Sequence, residues 1–232
     1  DFETVETYIV ANEQGKIEQI LPRERNDAHR LIEEMMLVAN TCAADFLQKN
    51  KAPCLYRVHE PPSQDRLEKA RATLAPFGVT LPGGDSPTPG DYAKVLESIA
   101  DRPDKAMIQT ILLRSMQQAV YSPHNVGHFG LAYDAYTHFT SPIRRYPDLL
   151  VHRAIRGILR RRKYVPKILV EPNEADVPVQ TREIICKAKP DDKKKVAHID
   201  LWEKLGLLCS AHERRADEAS YDVMAWLKCN YM

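Results

Sequence analysis

The chain has 232 residues, 44% apolar and 28% charged, which fits one large domain or two small ones and excludes wholesale disorder, collagen-like repeats and a membrane-embedded class. No stretch approaches the ~18 uncharged apolar residues of a membrane span. The net charge of +1 hides an asymmetry: residues 1–143 carry 14 Lys/Arg and 19 Asp/Glu, residues 144–232 carry 19 and 13.

Residues 5–10 and 16–21 read as two strands, with Asn12 to Gly15 as turn material, so 5–21 is a hairpin. Asn26 opens a helix to about Asn50, with Leu31, Met35, Val38, Cys42 and Phe46 as its apolar stripe and Pro53 closing it. Cys54 to His59 is a short strand. Ser63 caps a helix through Leu74 that Gly78 ends, and Leu81 to Gly90 is a Pro/Gly loop. Pro89 to Ala100 is helical, and a second helix follows Pro103 to about Tyr121. Ser122 to Gly127 is a loop, and His128 to Tyr136 is strand-like or irregular.

Pro142 suits the first turn of a helix, and Pro147 ends or restarts it, leaving a main helix over Asp148 to Arg161. Residues 164–196, with four Pro and no clean period, read as a long insertion. Asp200 to Tyr231 is a long helix, with Leu201, Leu205, Leu208, His212, Ala219, Val223 and Trp226 near one face and a kink expected at Gly206. The fold class is α+β, helix-dominated, with a few strands.

The chain opens Asp1-Phe2-Glu3 with no basic n-region or apolar h-region, so it is expected to carry no signal peptide and to be a piece of something longer. Five scattered Cys (Cys42, Cys54, Cys186, Cys209, Cys229) without a Cys-x-x-Cys argue against a disulfide framework or structural zinc and fit a reducing cytoplasm. Phosphate-loop, dinucleotide, nucleophile-elbow and His-Glu-x-x-His motifs are all absent.

Residues 144–167 hold nine Lys/Arg and one acid, Asp148. Such a block attracts a phosphate-bearing partner, although a solvated helix face or a basic tail accounts for the charge as well. The informative segment is Thr140-Ser141-Pro142-Ile143-Arg144-Arg145-Tyr146-Pro147-Asp148-Leu149. It sets hydroxyls, guanidiniums and an aromatic around a helix start, where backbone N–H groups favour anions. Arginine adds a planar fork matched to phosphate oxygens. Arg153, Arg156 and Arg160 then share one helix face, an arrangement suited to a polyanionic backbone. A capped helix with an exposed Arg stripe and local Asp148 pairing explains the same spacing.

That segment resembles the signature of the RNase II/ribonuclease R (RNB) family of 3′→5′ exoribonucleases. Arg25-Asn26-Asp27-Ala28-His29, Leu55-Tyr56-Arg57-Val58-His59, Ala100-Asp101-Arg102-Pro103, Gly127-His128-Phe129-Gly130-Leu131-Ala132 and Glu213-Arg214-Arg215-Ala216-Asp217-Glu218-Ala219 are similar to its ribonuclease R branch, in the same order. The resemblance covers 1–160 and 199–232, with 161–198 as a variable insertion. It implies that residues 1–232 are the later two-thirds of an RNB catalytic domain. The family's Mg²⁺-holding Asp cluster is then expected upstream of Asp1, with no metal ligands within this chain.

The implied activity is processive hydrolysis of single-stranded RNA to 5′-mononucleotides by a metal-activated water. The implied catalytic residue is Arg144, beside the scissile phosphate. The implied RNA-binding residues are Phe2, stacking on the last bases, Glu34, accepting from a ribose 2′-OH, and Arg145, Tyr146 and Arg153. On the residues alone, Phe2 is equally an ordinary packed aromatic and Glu34 an exposed helix carboxylate. Arg214 and Arg215 are expected to pair with the acids within helical reach, Glu213, Asp217 and Glu218. No membrane partner is expected. A non-catalytic RNA-binding module is the alternative, and a scaffold built on the C-terminal helix is a third reading.

Overall fold

The computed structural model describes residues 7–168, 183, 185 and 198–231. Strands β1 (Thr7–Ala11) and β2 (Ile17–Pro22) form an antiparallel hairpin, with Thr7 opposite Pro22 and a register shift at Val10/Ala11. The Asn12 side chain closes the turn by accepting from the N–H groups of Gln14 and Lys16. Helix α1 (Asp27–Lys49) starts at a capping box in which Asn26 accepts from His29 N–H and the His29 ring accepts in return.

Strand β3 (Tyr56–Val58) pairs antiparallel with β4 (Val120–Ser122). Between them lie α2 (Gln64–Leu74), α3 (Pro89–Ser98) and α4 (Lys105–Ser115). Thr88 and Asp91 cap α3 reciprocally. These three helices close over Leu67, Leu74, Tyr92, Val95, Ile99, Ile108 and Leu112. A second core joins the end of α1 to the β3–β4 pair and to α5 (Tyr146–Leu159), through Ala43, Ala44, Leu47, Val58, Val120, Val151 and Ala154. Helix α6 (Ile199–Tyr231) lays Trp202 and Leu205 against Leu55, Tyr121 and Leu150. The result is a helix-dominated α+β fold in which the β3–β4 ribbon packs with α1, α5 and α6.

Four expectations need correction. The α4 helix stops at Ser115 rather than near Tyr121, because Val120–Ser122 hydrogen-bonds to β3 and tertiary pairing overrides local helix propensity. The expected α1 stripe faces outward: Leu31, Met35 and Val38 are each about 60% exposed, whereas Asn40, Ala43, Ala44 and Leu47 are buried. Only the C-terminal half of α1 packs, and it presents small residues to α5. Pro142 opens a turn, not a helix, with the N–H groups of Arg144 and Arg145 both reaching Ser141 O.

Helix α6 runs through Gly206 without a break and buries Ile199, Trp202, Leu205, Gly206 and Ser210, while Val223 and Trp226 stand exposed. The glycine is there for space. A Cβ at 206 would lie 2.6 Å from the Tyr121 carbonyl oxygen. The expected insertion, 161–198, falls mostly outside the described residues.

Candidate functional site

The basic signature folds as the turn that leads into α5 and the first residues of that helix, and side chains from elsewhere hold the backbone of the turn and of the segment before it point by point. Thr137, fully buried, donates its hydroxyl to Leu55 O at 2.6 Å. Asn40 of α1 accepts from the N–H groups of Phe139 and Thr140 at 2.9 and 3.2 Å and donates to the Tyr136 hydroxyl at 2.8 Å. His152, nearly two turns into α5, stacks on Phe139 at 4.1 Å and bonds its carbonyl at 2.8 Å.

Asp148 completes the clamp. Its carboxylate is fully buried and accepts from Ser141 N–H at 2.7 Å and from the Arg145 guanidinium at 2.8 Å, both on Oδ1. A buried carboxylate is tolerable only with such partners. The two adjacent arginines thus part ways. Arg145 turns inward onto Asp148 and is 19% exposed. Arg144 sits at the crest of the turn beside the fully exposed Ile143, and makes no ion pair with a described residue. Tyr146 occupies the first position of α5, about half exposed.

Arg153 and Arg156 of α5 and Arg160 at its C-cap are exposed. Arg153 is hydrogen-bonded to Tyr164, which holds its pKa above the usual value. Tyr146 titrates higher than a free tyrosine, through burial first and then the neighbouring Tyr164. Tyr146, Tyr164 and Arg153 therefore form one cluster flanking the Arg144 turn. Glu34 is exposed on α1 and makes no ion pair with a described residue, its neighbour Glu33 taking Arg25. It stands six residues before Asn40, about 9 Å along the helix axis. Phe2 lies outside the described residues.

Close to the turn is a partly buried polar network. Glu213 of α6 pairs with Arg57 at 2.5 Å, a partner 156 residues away, rather than with the arginines of its own helix. The Arg57 guanidinium lies over the Tyr121 ring at 4.6 Å. The Tyr121 hydroxyl reaches Glu213 at 3.2 Å and His138 Nδ1 at 2.9 Å. Burial, with Arg145 and Arg57 nearby, pushes the His138 pKa down to about 2. A neutral His138 donating from Nδ1 to Tyr121, which donates to Glu213, satisfies every contact with one proton each. His59 is neutral too: its Nδ1 accepts from Gly130 N–H, so Nε2 donates to Gln117 O.

The local pairing of Asp148 is legible in the sequence, whereas Asn40 and the Arg57–Tyr121–Glu213–His138 network escape sequence reasoning. A buried Asn leaves one signal, a polar residue beside Ala43 and Ala44 on an inward face. The long-range pairs leave none. Among the described residues no group of three or more His, Cys, Asp or Glu gathers to hold a metal ion, so they do not fit a Mg²⁺ site and no step is derived through one. No helix among them is long and apolar enough to cross a membrane.

The RNB domain family matches residues 1–161. Ribonuclease R of Escherichia coli is 47% identical and that of Thermotoga maritima 38%, each over the whole chain. This chain spans 26% and 29% of their lengths, so it corresponds to about a quarter of those enzymes. Among solved structures, Mycoplasma genitalium RNase R in complex with ribose-methylated single-stranded RNA overlaps 68% of this chain and 25% of its own, with a TM-score of 0.65 at 36% identity. Yeast Ssd1, described as a pseudonuclease, overlaps 62% of this chain and 18% of its own, with a TM-score of 0.54 at 26% identity. By the family match, the whole-chain identities and the shared fold, the chain belongs to the RNB domain family.

Proposed function

We propose that this chain is the later part of the catalytic domain of a processive, Mg²⁺-dependent 3′→5′ exoribonuclease that degrades single-stranded RNA to 5′-mononucleotides in the cytoplasm. The observation that carries the reading is Arg144: an exposed guanidinium, without a counter-ion among the described residues, on a turn whose backbone is clamped on both sides. A guanidinium so placed need break no existing pair to meet a phosphate, and its fork can hold two phosphate oxygens. In the reaction it would stabilise charge developing on the scissile phosphate.

Tyr146 and Arg153 extend the same surface along α5, the first offering a ring to a base or sugar and the second a charge to the next phosphate. Arg145 contributes chiefly by holding Asp148. Glu34 would accept from a ribose 2′-OH, favouring RNA over DNA, and Phe2 would stack on a terminal base. When bound, Mg²⁺ would supply an activated water; its ligands are proposed to lie before Asp1.

The test follows the full-length protein on single-stranded RNA labelled at its 5′ end, with Mg²⁺ and with EDTA. The expected result is EDTA-sensitive, stepwise shortening from the 3′ end with 5′-mononucleotide products. Ssd1 shows that a fold of this kind can belong to a protein described as a pseudonuclease. Tight, salt-sensitive RNA binding with no shortening would favour a non-catalytic RNA-binding module.

A further inference from the structure

Asn40 is a buried polar residue on a helix whose other buried positions are Ala43, Ala44 and Leu47. A primary amide in such a place is costly unless its hydrogen bonds are made. Here they serve one segment only. Oδ1 receives two consecutive backbone N–H groups, of Phe139 and Thr140, and Nδ2 donates to Tyr136. The next residue, Ser141, is held by Asp148, and its carbonyl receives the N–H groups of Arg144 and Arg145. An unbroken chain of contacts therefore runs from α1 to the crest of the turn.

We infer that Asn40 is a positioning residue for phosphate recognition, fixing the turn that carries Arg144 against the helix that carries Glu34. The inference rests on the proposed exoribonuclease reading. Its physical content is distance. Glu34 and Arg144 share no contact among the described residues, so a ribose-reading and a phosphate-reading group keep their spacing only if α1 and the turn move as one. Among the described residues, the hydrogen bonds between α1 and the segment leading into that turn are those of Asn40. With an apolar residue at 40, two adjacent amides lose their acceptor and the turn loses its direct hydrogen bonds to α1, keeping the holds of Asp148 and His152 from α5. A misplacement of about 1 Å in a reacting geometry costs on the order of 100-fold in rate.

The experiment uses the full-length protein with Asn40→Leu, Arg144→Ala, the double variant, and Leu112→Ala. Leu112 is buried among α2, α3 and α4, away from the turn, and controls for lost stability. Asn40→Leu is expected to lower kcat roughly 100-fold with little change in RNA Kd. Because Asn40 acts through Arg144, the double variant should be no slower than Arg144→Ala alone. Multiplying losses, or an Asn40→Leu enzyme no slower than Leu112→Ala, would overturn the inference.

Amide exchange over residues 139–145 is measured on the same proteins. It is expected to speed up in Asn40→Leu and to stay protected in Leu112→Ala; equal exchange in the two would overturn the inference. If the wild-type protein cleaves no RNA, the functional reading fails separately and amide exchange alone decides the role of Asn40.

Discussion

Two neighbouring arginines, identical in chemistry, do opposite work. Arg145 neutralises a carboxylate with no solvent exposure, and Arg144 neutralises nothing among the described residues. Arg145→Ala leaves a buried, unpaired Asp148 and is expected to cost about 3 kcal/mol of stability. Arg144→Ala is expected to cost less than about 0.5 kcal/mol. Urea denaturation of the two variants checks this, and equal losses would contradict the assignment.

The buried histidines add a pH dependence. His138 and His128 have pKa values pushed down to about 2 and 3, and His59 is lowered as well, burial being the first cause in each. A histidine depressed in the folded state binds its proton more readily when unfolded, so its contribution is complete above pH 6.5 and is lost as the pH falls toward the folded value. Stability should therefore drop below pH 6.5, with a slope of up to about 1.4 kcal/mol per pH unit for each histidine. Urea midpoints between pH 7.5 and 4.5 should show a shallower slope in His138→Gln; an unchanged slope would contradict a buried neutral His138.

At the scale of elements, helices were legible where local chemistry decides them. Asn26 and Gly78 mark real helix ends because a cap is a contact between near neighbours. Failures came where a distant partner decides. Periodicity located α1 but chose the wrong face, because its inner face is built of Ala43, Ala44 and Asn40, residues with little hydrophobic signal. The end of α4 and strand β4 depend on β3, some 60 residues earlier in the chain.

Gly206 is the clearest such case. Local propensity reads it as a weak point, and packing reads it as a necessity. Gly206→Ala would gain up to about 1 kcal/mol of helix propensity. It is nonetheless expected to lower stability, because the new Cβ meets the Tyr121 carbonyl at 2.6 Å and overpacking commonly costs about 1–3 kcal/mol. A thermal melt with an unchanged or higher midpoint would contradict the close approach of α6 to β4.

For the whole molecule, the signature segment carried most of the site's legibility. Arg144, Arg145, Tyr146 and Arg153 lie within ten residues, and the fold keeps them on one turn and the helix that follows. What the sequence did not reveal is the support: Asn40, Arg57, Tyr121 and Glu213 come from α1, β3, β4 and α6, and only folding brings them close to the turn. The same fold occurs in ribonuclease R and in a protein described as a pseudonuclease, so architecture alone does not decide chemistry.

On the proposed exoribonuclease reading, Arg144 acts on the phosphate in the transition state and adds little to ground-state RNA affinity. Single-turnover cleavage and equilibrium binding of one labelled single-stranded RNA, by full-length wild type and Arg144→Ala, test it directly. The cleavage rate is expected to fall by about 100-fold or more while Kd changes little. Unchanged cleavage, or a loss confined to binding, would contradict it.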